Sequence, residues 1–379
     1  MDKETTLFFA GDFCSKPSAS EITVSKELAD LIQSCDLKIL NFEVPLKPDI
    51  TLPIQQYERF WQNDDVPNFL IGLGFNLFSI ANNHAFDWGD AGFYKTKTVL
   101  GDAVFGAGTY DEAYKIKVIE INNIKIGFLA LTYAAYTGVF DDVLNHNGLG
   151  CAYINDLRVN HDIMEAKKCV DYLFVLPHNG IEYIDVPLPE TIARYRDFID
   201  YGADGVIGSH PHCPQGWEEY KGKPIFYSLG NFFFNSKENT KFKANKPHWY
   251  EGLCVLLKLK AGEINYQIIN TRNIDNIQIV VDREAEREKN NQQLCSYLND
   301  KIAYESYLND QCRRLTASQE MPIIDKTFHE NSLKECTKLI IRNWLRHFKG
   351  KSVGNDFSIR TLMRNDNRRN LLLRGIKEY

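Results

Sequence analysis

No run in this sequence approaches the ~18 consecutive apolar residues that a membrane-spanning helix requires, so no helical membrane span is expected. The opening residues Met1 to Thr6 carry Asp2, Lys3 and Glu4 and lead straight into Leu7-Phe8-Phe9-Ala10. They lack the basic stretch, long apolar core and small-residue cleavage site of an export signal. The nine cysteines are scattered without a single C-x-x-C pair, which argues against a disulfide framework and a zinc ribbon and favours a reducing cytoplasm. There is no internal repeat and no low-complexity segment. Gly106-Ala107-Gly108 is too short and wrongly spaced for a dinucleotide loop and reads as a tight turn. What remains is an ordinary globular composition, 44% hydrophobic and 25% charged over 379 residues, enough for two or three domains of ~150 residues.

The net charge of −6 conceals an asymmetry. Lys334 to Tyr379 hold 12 Lys or Arg against 4 Asp or Glu, a surplus of +8, which leaves −14 on residues 1–333. No nucleic-acid partner is expected, because phosphate neutralisation needs a positive face and no nucleic-acid reading motif accompanies the basic tail. The tail reads as a solvated helical face that neutralises the acidic body, or as a membrane-surface helix. In the second reading Leu333, Ile340, Trp344 and Phe348 form an apolar stripe beside Lys338, Arg342, Arg346 and Lys349. Such a helix would hold a cytoplasmic protein at the inner face of an anionic bilayer.

Up to about residue 235, short apolar runs alternate with amphipathic stretches, the pattern of a layered α/β domain. Strands are expected at Leu7–Ala10, Leu37–Asn41, Asn76–Ala81, Val104–Gly106, Tyr172–Leu176 and Gly205–Ile207. Helices are expected at Ser25–Ser34, Ala91–Leu100, Asp156–Val170 and Glu190–Tyr201. Three hairpins interrupt the alternation, turning at Asn122-Asn123, Lys221-Gly222 and Ala261-Gly262, and point to a second sheet or an antiparallel extension. Beyond Asn270 strand signals fade. Past Asp282 the sequence becomes helical in character, with a break at Thr316–Ser318 and Met321-Pro322 and a stripe of Leu333, Cys336, Ile340 and Trp344 over Ser332–His347. A boundary therefore falls near Asp282, separating a domain at 1–282 from a helical appendage at 283–379.

Metal-ligand residue types recur immediately after the expected strands. Asp12 follows the first, Glu43 the second, Asn83-His84 the third, His178 the strand at Tyr172–Leu176, and His210-Pro211-His212 the strand at Gly205–Ile207. The carboxyl ends of strands in an open α/β sheet form its ligand-binding edge, so these five clusters would converge. One Asp, one Glu, one Asn and three His make a mixed oxygen and nitrogen donor set that suits Mn, Fe or Zn.

The ordered strings Ala10-Gly11-Asp12, Asn41-Phe42-Glu43, Ala81-Asn82-Asn83-His84 with Asp87 and Gly89, Gly106-Ala107-Gly108, His178-Asn179-Gly180 with Glu182-Tyr183, Gly208-Ser209-His210-Pro211-His212 and Tyr227-Ser228-Leu229-Gly230-Asn231-Phe232 resemble the capsule synthesis protein CapA family associated with poly-γ-glutamate production. That family is similar to the calcineurin-like metallophosphoesterases, and the resemblance covers about Leu7 to Asp282. It implies a four-layer α/β/β/α sandwich and a site for two divalent metal ions. By motif, Asp12 and His212 would hold one ion, Asn83, His178 and His210 the other, and Glu43 would bridge them. His84 would be the acid near the leaving group. Two ions ~4 Å apart can lower the pKa of a water and clamp both oxygens of an in-line displacement. Asp87 either orients His84 or caps the helix before Ala91.

The chain departs from the wider superfamily at two positions. Cys14 stands where a His is usual, and is either a thiolate ligand or a small buried hydrophobe. Glu43 replaces an Asp, as is usual in the capsule family, and this loosens the inference that the substrate is a phosphoester. Asn179 stands where the family commonly has Trp. Trp61, Trp88, Tyr183 and Phe232 either line a sugar-sized cleft or belong to the core, and Glu182 is a candidate carboxylate partner for a ligand histidine. His146, His161, His248, His329 and His347 lie outside every cluster and read as structural or surface residues. The function expected is a metal-dependent hydrolase of capsule or extracellular polymer biosynthesis that acts on a polymer or polymer precursor. The alternative is a non-catalytic assembly or export component that binds an anionic polymer through the same pocket.

Overall fold

Paired residues with positive φ set the hairpins of this chain. Asn122 and Asn123 have φ of 52° and 64°, and Lys221 and Gly222 have φ of 52° and 73°. Two such residues in succession make the turn whose twist matches that of the flanking strands. The computed structural model describes residues 4–51, 59–134, 138–140, 148–235, 248–260 and 262–317.

In chain order the first half runs β1 (Thr5–Ser15), β2 (Thr23–Val24), α1 (Lys26–Ser34), β3 (Leu37–Phe42), α2 (Val66–Leu73), β4 (Leu77–Ser79), α3 (Gly89–Leu100), β5 (Val104–Phe105), β6 (Ala107–Gly108) and α4 (Tyr110–Tyr114). There follow β7 (Lys117–Ile121), β8 (Ile124–Thr132), β9 (Gly150–Cys151), α5 (Arg158–Lys167), β10 (Tyr172–His178), α6 (Pro189–Asp200) and β11 (Gly205–Ile207). The last strands are β12 (Trp217–Tyr220), β13 (Lys223–Phe226), β14 (Asn231–Asn235), β15 (Glu251–Lys260), β16 (Glu263–Ile274) and β17 (Gln278–Val281), before α7 (Ala285–Tyr297) and α8 (Lys301–Ala317). The first sheet has the order β2-β17-β16-β15-β1-β3-β4-β5, with β14 also paired to β1. The second has the order β12-β13-β11-β10-β8-β7.

Strand alternation sorts the core into layers. Phe9 of β1 points between the sheets, with its ring 6.4 Å from Phe128 of β8 and 5.9 Å from Phe174 of β10. Its neighbour Phe8 points the other way, to Phe75 just after α2. In the second sheet Leu173 and Val175 join a separate cluster with Val159 and Ile163 of α5 and Tyr195 and Phe198 of α6. Helices thus cover the outer face of each sheet, giving the expected α/β/β/α sandwich. Phe174 is fully buried against two other rings, so Phe174→Ala costs about 3–5 kcal/mol. Leu157→Ala, at a residue 88% exposed, stays within about 0.5 kcal/mol. Thermal denaturation of the two variants checks the contrast.

The structure also corrects the sequence reading. Helix α2 was not expected, because Val-Pro-Asn-Phe-Leu-Ile-Gly-Leu is apolar on nearly every side. It forms because Pro67 suits a helix's first turn and Gly74, at φ 107°, ends it. Strands persist past Asn270, through the turn at Asp275-Asn276 into β17, whose other edge pairs with β2. Residue contacts divide the chain into units at 1–299 and 300–379, rather than near Asp282. Helix α7 belongs to the first unit because its polar side chains are tied there. Arg287 Nη1 lies 2.9 Å from Glu251 Oε2, and Asn291 Nδ2 donates to Asn270 Oδ1. In the second unit α8 is described. The break at Thr316–Ser318 and Met321-Pro322, the stripe over Ser332–His347, the basic stretch 334–379, and His146, His329 and His347 lie outside the described residues, apart from Thr316 and Ala317 at the end of α8.

Candidate metal centre

The first strand does not stop at Ala10. It continues to Ser15 with register shifts between Phe9 and Asp12 against β3 and between Asp12 and Phe13 against β14, and the partner on one side changes from antiparallel β15 to parallel β14. Glycine is needed at the crossover, since a Cβ at position 11 would lie 1.9 Å from the Gly230 carbonyl oxygen. The Asp12 N–H donates to that oxygen. The expectation that Asp12 follows its strand is therefore corrected: it sits within β1, held by backbone on both sides. Glu43 directly follows β3 and His178 ends β10. Asn83 and His84 lie in the turn between β4 and α3, and His210 and His212 in the loop after β11.

These side chains meet in the interior. Ligand atoms of Asp12, Glu43 and His178 all lie within 4.8 Å of one another. His178 Nε2 is 2.8 Å from Asn83 Oδ1 and 3.1 Å from His210 Nδ1. His212 approaches from the other side, with Nε2 3.4 Å from Glu43 Oε1 and Nδ1 3.6 Å from Asp12 Oδ2. All six residues are buried. His210 and His212 have φ of 103° and 55°, a left-handed conformation unusual for histidine. Asp12 Oδ2 holds the loop in it by accepting the His210 N–H. Backbone strain of this kind persists only where the surrounding structure holds it in place.

The electrostatics are those of a cation site. Neither Glu43 carboxylate oxygen, nor the Asn83 amide nitrogen, has a hydrogen-bond partner among the described residues. Burial, reinforced by the negative charges of Asp12, Glu182 and Asp87, drives the Glu43 carboxyl well above its ordinary range. Burial also pushes Asp12 upward, but the hydrogen bond and charge of His178, with His212 and Asn41, outweigh it and hold Asp12 low. Burial lowers His178, against the pull of Asp12. A divalent ion among these groups would neutralise the paired carboxylates and fill the orphaned lone pairs, so the donor set fits one.

His84, next to Asn83 in the same turn, has a carboxylate partner of its own. Its Nδ1 is 2.9 Å from Asp87 Oδ2, which also accepts the Phe60 N–H. Burial pushes the His84 imidazole down, yet the charge and hydrogen bond of Asp87 outweigh it and leave it raised. Between the two readings of Asp87, the helix cap falls away: α3 starts after Trp88 without a side-chain cap. Cys14 is buried with Val44, Phe234 and Trp249 in a small apolar cluster, the packing expected of a small hydrophobe. Glu182 acts on Glu43 and His84 through its charge, while the His178 ring nitrogens meet Asn41, Ser209, Asn83 and His210.

Of the four aromatics weighed for a cleft, Tyr183 stacks on His212. Trp61 and Trp88 share the Lys47 ammonium, 5.3 Å from each ring, and Phe232 is core against Phe75. The walls that sequence reasoning missed are Phe60, 4.8 Å from His84, and Phe234 and Trp249, 4.8 and 5.1 Å from His212. Tyr133 likewise packs on His210. The supporting amides were missed too. Asn41 Nδ2 donates to Asp12 Oδ1 at 2.7 Å, and Asn231 Oδ1 is 2.9 Å from His212 Nδ1. Asn41 had a signal, since it lies two residues before Glu43 and shares its face of the strand. Trp249 had none. Of the remaining histidines, His161 is a surface residue and His248 pairs with Glu251.

The family of bacterial capsule synthesis proteins PGA_cap matches residues 6–236, which include all eight candidate site residues. The capsule biosynthesis protein CapA of Bacillus anthracis is 26% identical over 252 residues, covering 62% of this chain and 61% of that protein. The PGA biosynthesis protein CapA of Bacillus subtilis (strain 168) is 30% identical over 250 residues, covering 62% of this chain and 64% of that protein. The chain thus matches less than two thirds of the length of these relatives. Among solved structures, a phosphatase of Mycoplasma pneumoniae aligns with 76% of this chain and 98% of its own at 14% identity, with a TM-score of 0.46.

Proposed function

Because the chain belongs to the PGA_cap family of bacterial capsule synthesis proteins, we propose that it is a metal-dependent hydrolase of capsule or extracellular polymer biosynthesis. Its substrate is a polymer or polymer precursor, cut at a phosphoester or another ester or amide bond. The observation that carries this reading is the buried Glu43 carboxylate, which has no hydrogen-bond partner among the described residues and faces Asp12, His178 and His212. Asp12 and His212 would hold one divalent ion, Asn83, His178 and His210 a second, and Glu43 would serve both. Mn, Fe or Zn bound there supplies Lewis acidity toward a substrate oxygen and makes water acidic enough to attack at neutral pH.

The chain's own residues do the rest. Asp87 fixes His84 through Nδ1 and favours its charged form, so proton delivery to a leaving group runs through Nε2. Phe60, Phe234, Tyr183 and Trp249 surround the histidines with apolar surface, which strengthens every charge interaction at the site. Metal analysis of protein purified without chelator tests the reading. At least one equivalent of Mn, Fe or Zn is expected; less than about half an equivalent, with no hydrolysis regained on adding metal, overturns it.

Cys14 favours a second reading, a polymer-binding assembly component without turnover, because a superfamily ligand position here holds an apolar-packed thiol. Among the described residues no helix is long and apolar enough to cross a membrane. We place the protein in the cytoplasm, with the basic stretch 334–379 as its contact with an anionic membrane surface; recovery with anionic vesicles that vanishes on deleting this stretch supports that contact.

A further inference from the structure

The turn that carries Asn83 and His84 has no regular secondary structure, yet both side chains must stand at fixed distances from Asp12, which belongs to a different strand. The turn is held by a buried chain of amides. Asn82 Oδ1 accepts the His84 N–H at 3.1 Å. Asn82 Nδ2 donates to the Phe42 carbonyl at 3.1 Å and to Asn41 Oδ1 at 3.3 Å. Asn41 Nδ2 in turn donates to Asp12 Oδ1 at 2.7 Å. Asn41 and Asn82 are both at least nine-tenths buried.

We propose that Asn41 and Asn82 form a positioning relay that fixes the Asn83-His84 turn relative to Asp12, and so sets the spacing of the metal centre and its neighbouring acid. This rests on the metal-site reading above. The chemistry explains the residue type at both positions. Each must donate at one end and accept at the other, and an amide does both without adding charge. A carboxylate at position 41 could not donate to Asp12 and would repel it. Outer partners of this kind typically change metal affinity 10–100-fold.

The test is calorimetric titration of Mn2+ into the chelator-stripped full chain, alongside the melting temperature of the metal-free protein. Asn41→Ala and Asn82→Ala lower Mn2+ affinity about 10–100-fold. Asn291→Ala is the control, a buried amide on α7 that bonds to Asn270; it lowers the melting temperature and leaves Mn2+ affinity unchanged. Asn82→Asp keeps the acceptor for the His84 N–H and loses the donations to the Phe42 carbonyl and to Asn41 Oδ1, so it weakens Mn2+ by releasing the turn from β3. It carries the test if either alanine variant fails to fold. Folded relay variants that bind Mn2+ within about twofold of the wild type overturn the relay while the metal site stands. A wild-type chain that binds no Mn2+ overturns the metal site and the relay with it.

Discussion

His84→Ala abolishes hydrolysis, with a loss on the order of 10²- to 10⁴-fold in turnover, while the metal content stays at the wild-type level. The separation follows from geometry. The six candidate ligands close on one another, whereas the His84 Nδ1 is bonded to Asp87 and its ring packs against Phe60. Removing it therefore takes away a proton donor without opening the ligand set. Asp87→Asn should lower turnover in the same direction by less, because the ring remains but loses the carboxylate that keeps it charged. The measurement is turnover of a chromogenic aryl phosphate, or of the native polymer, beside metal analysis of the same preparation. If His84→Ala loses its metal, His84 is a ligand and the assignment is wrong. If cells carrying His84→Ala make normal polymer while a deletion strain makes none, the assembly reading replaces the hydrolase.

Glu43→Gln should act in opposite directions with and without metal. In the metal-free protein Glu43 is a buried carboxyl beside Asp12 whose pKa is raised well above the ordinary value, first by burial and then by neighbouring charge. A raised folded-state value means that the folded protein binds the extra proton. Its stabilising effect is full below the unfolded value of about 4.3 and is lost as pH rises toward the folded value. At neutral pH the variant therefore melts higher than the wild type when both are stripped of metal. The gain grows by about 1.4 kcal/mol for each pH unit above the unfolded value until the folded value is reached. With Mn2+ the order reverses, because the wild type gains binding free energy that the neutral amide cannot match. Melting curves from pH 5 to 8, with chelator and with Mn2+, give both arms. A stripped variant no more stable than the wild type at pH 7 would show that Glu43 is neutralised by some other group.

Much of the fold was legible because period-2 and period-3.6 apolar patterns survive in one dimension. Strand β11 was read to the residue, and α1, α3, α5 and α6 to within a few residues. The hairpin turns were legible for the same local reason, as Asn-Asn and Lys-Gly tolerate positive φ. What failed was decided by distant partners. Strand β1 continues past Gly11 because β14, more than 200 residues away, supplies a new parallel neighbour. Strand β17 exists because β2 and β16 flank it.

The candidate site divides in the same way. Residue type and position after each strand were enough to nominate Asp12, Glu43, Asn83, His84, His178, His210 and His212, because donor chemistry is a property of the side chain and strand ends share an edge. The sequence could not choose between two roles for Asp87, or between ligand and hydrophobe for Cys14. Those choices turn on whether Asp87 Oδ2 meets an imidazole or a helix end, and on whether Cys14 meets Val44 and Trp249. Nor could it foresee Trp249 against His212, or the amide chain from Asp12 to Asn82. Burial and hydrogen-bond partnership are relations between segments far apart in the chain, and only closure of the two sheets against each other brings those segments within a bond's reach.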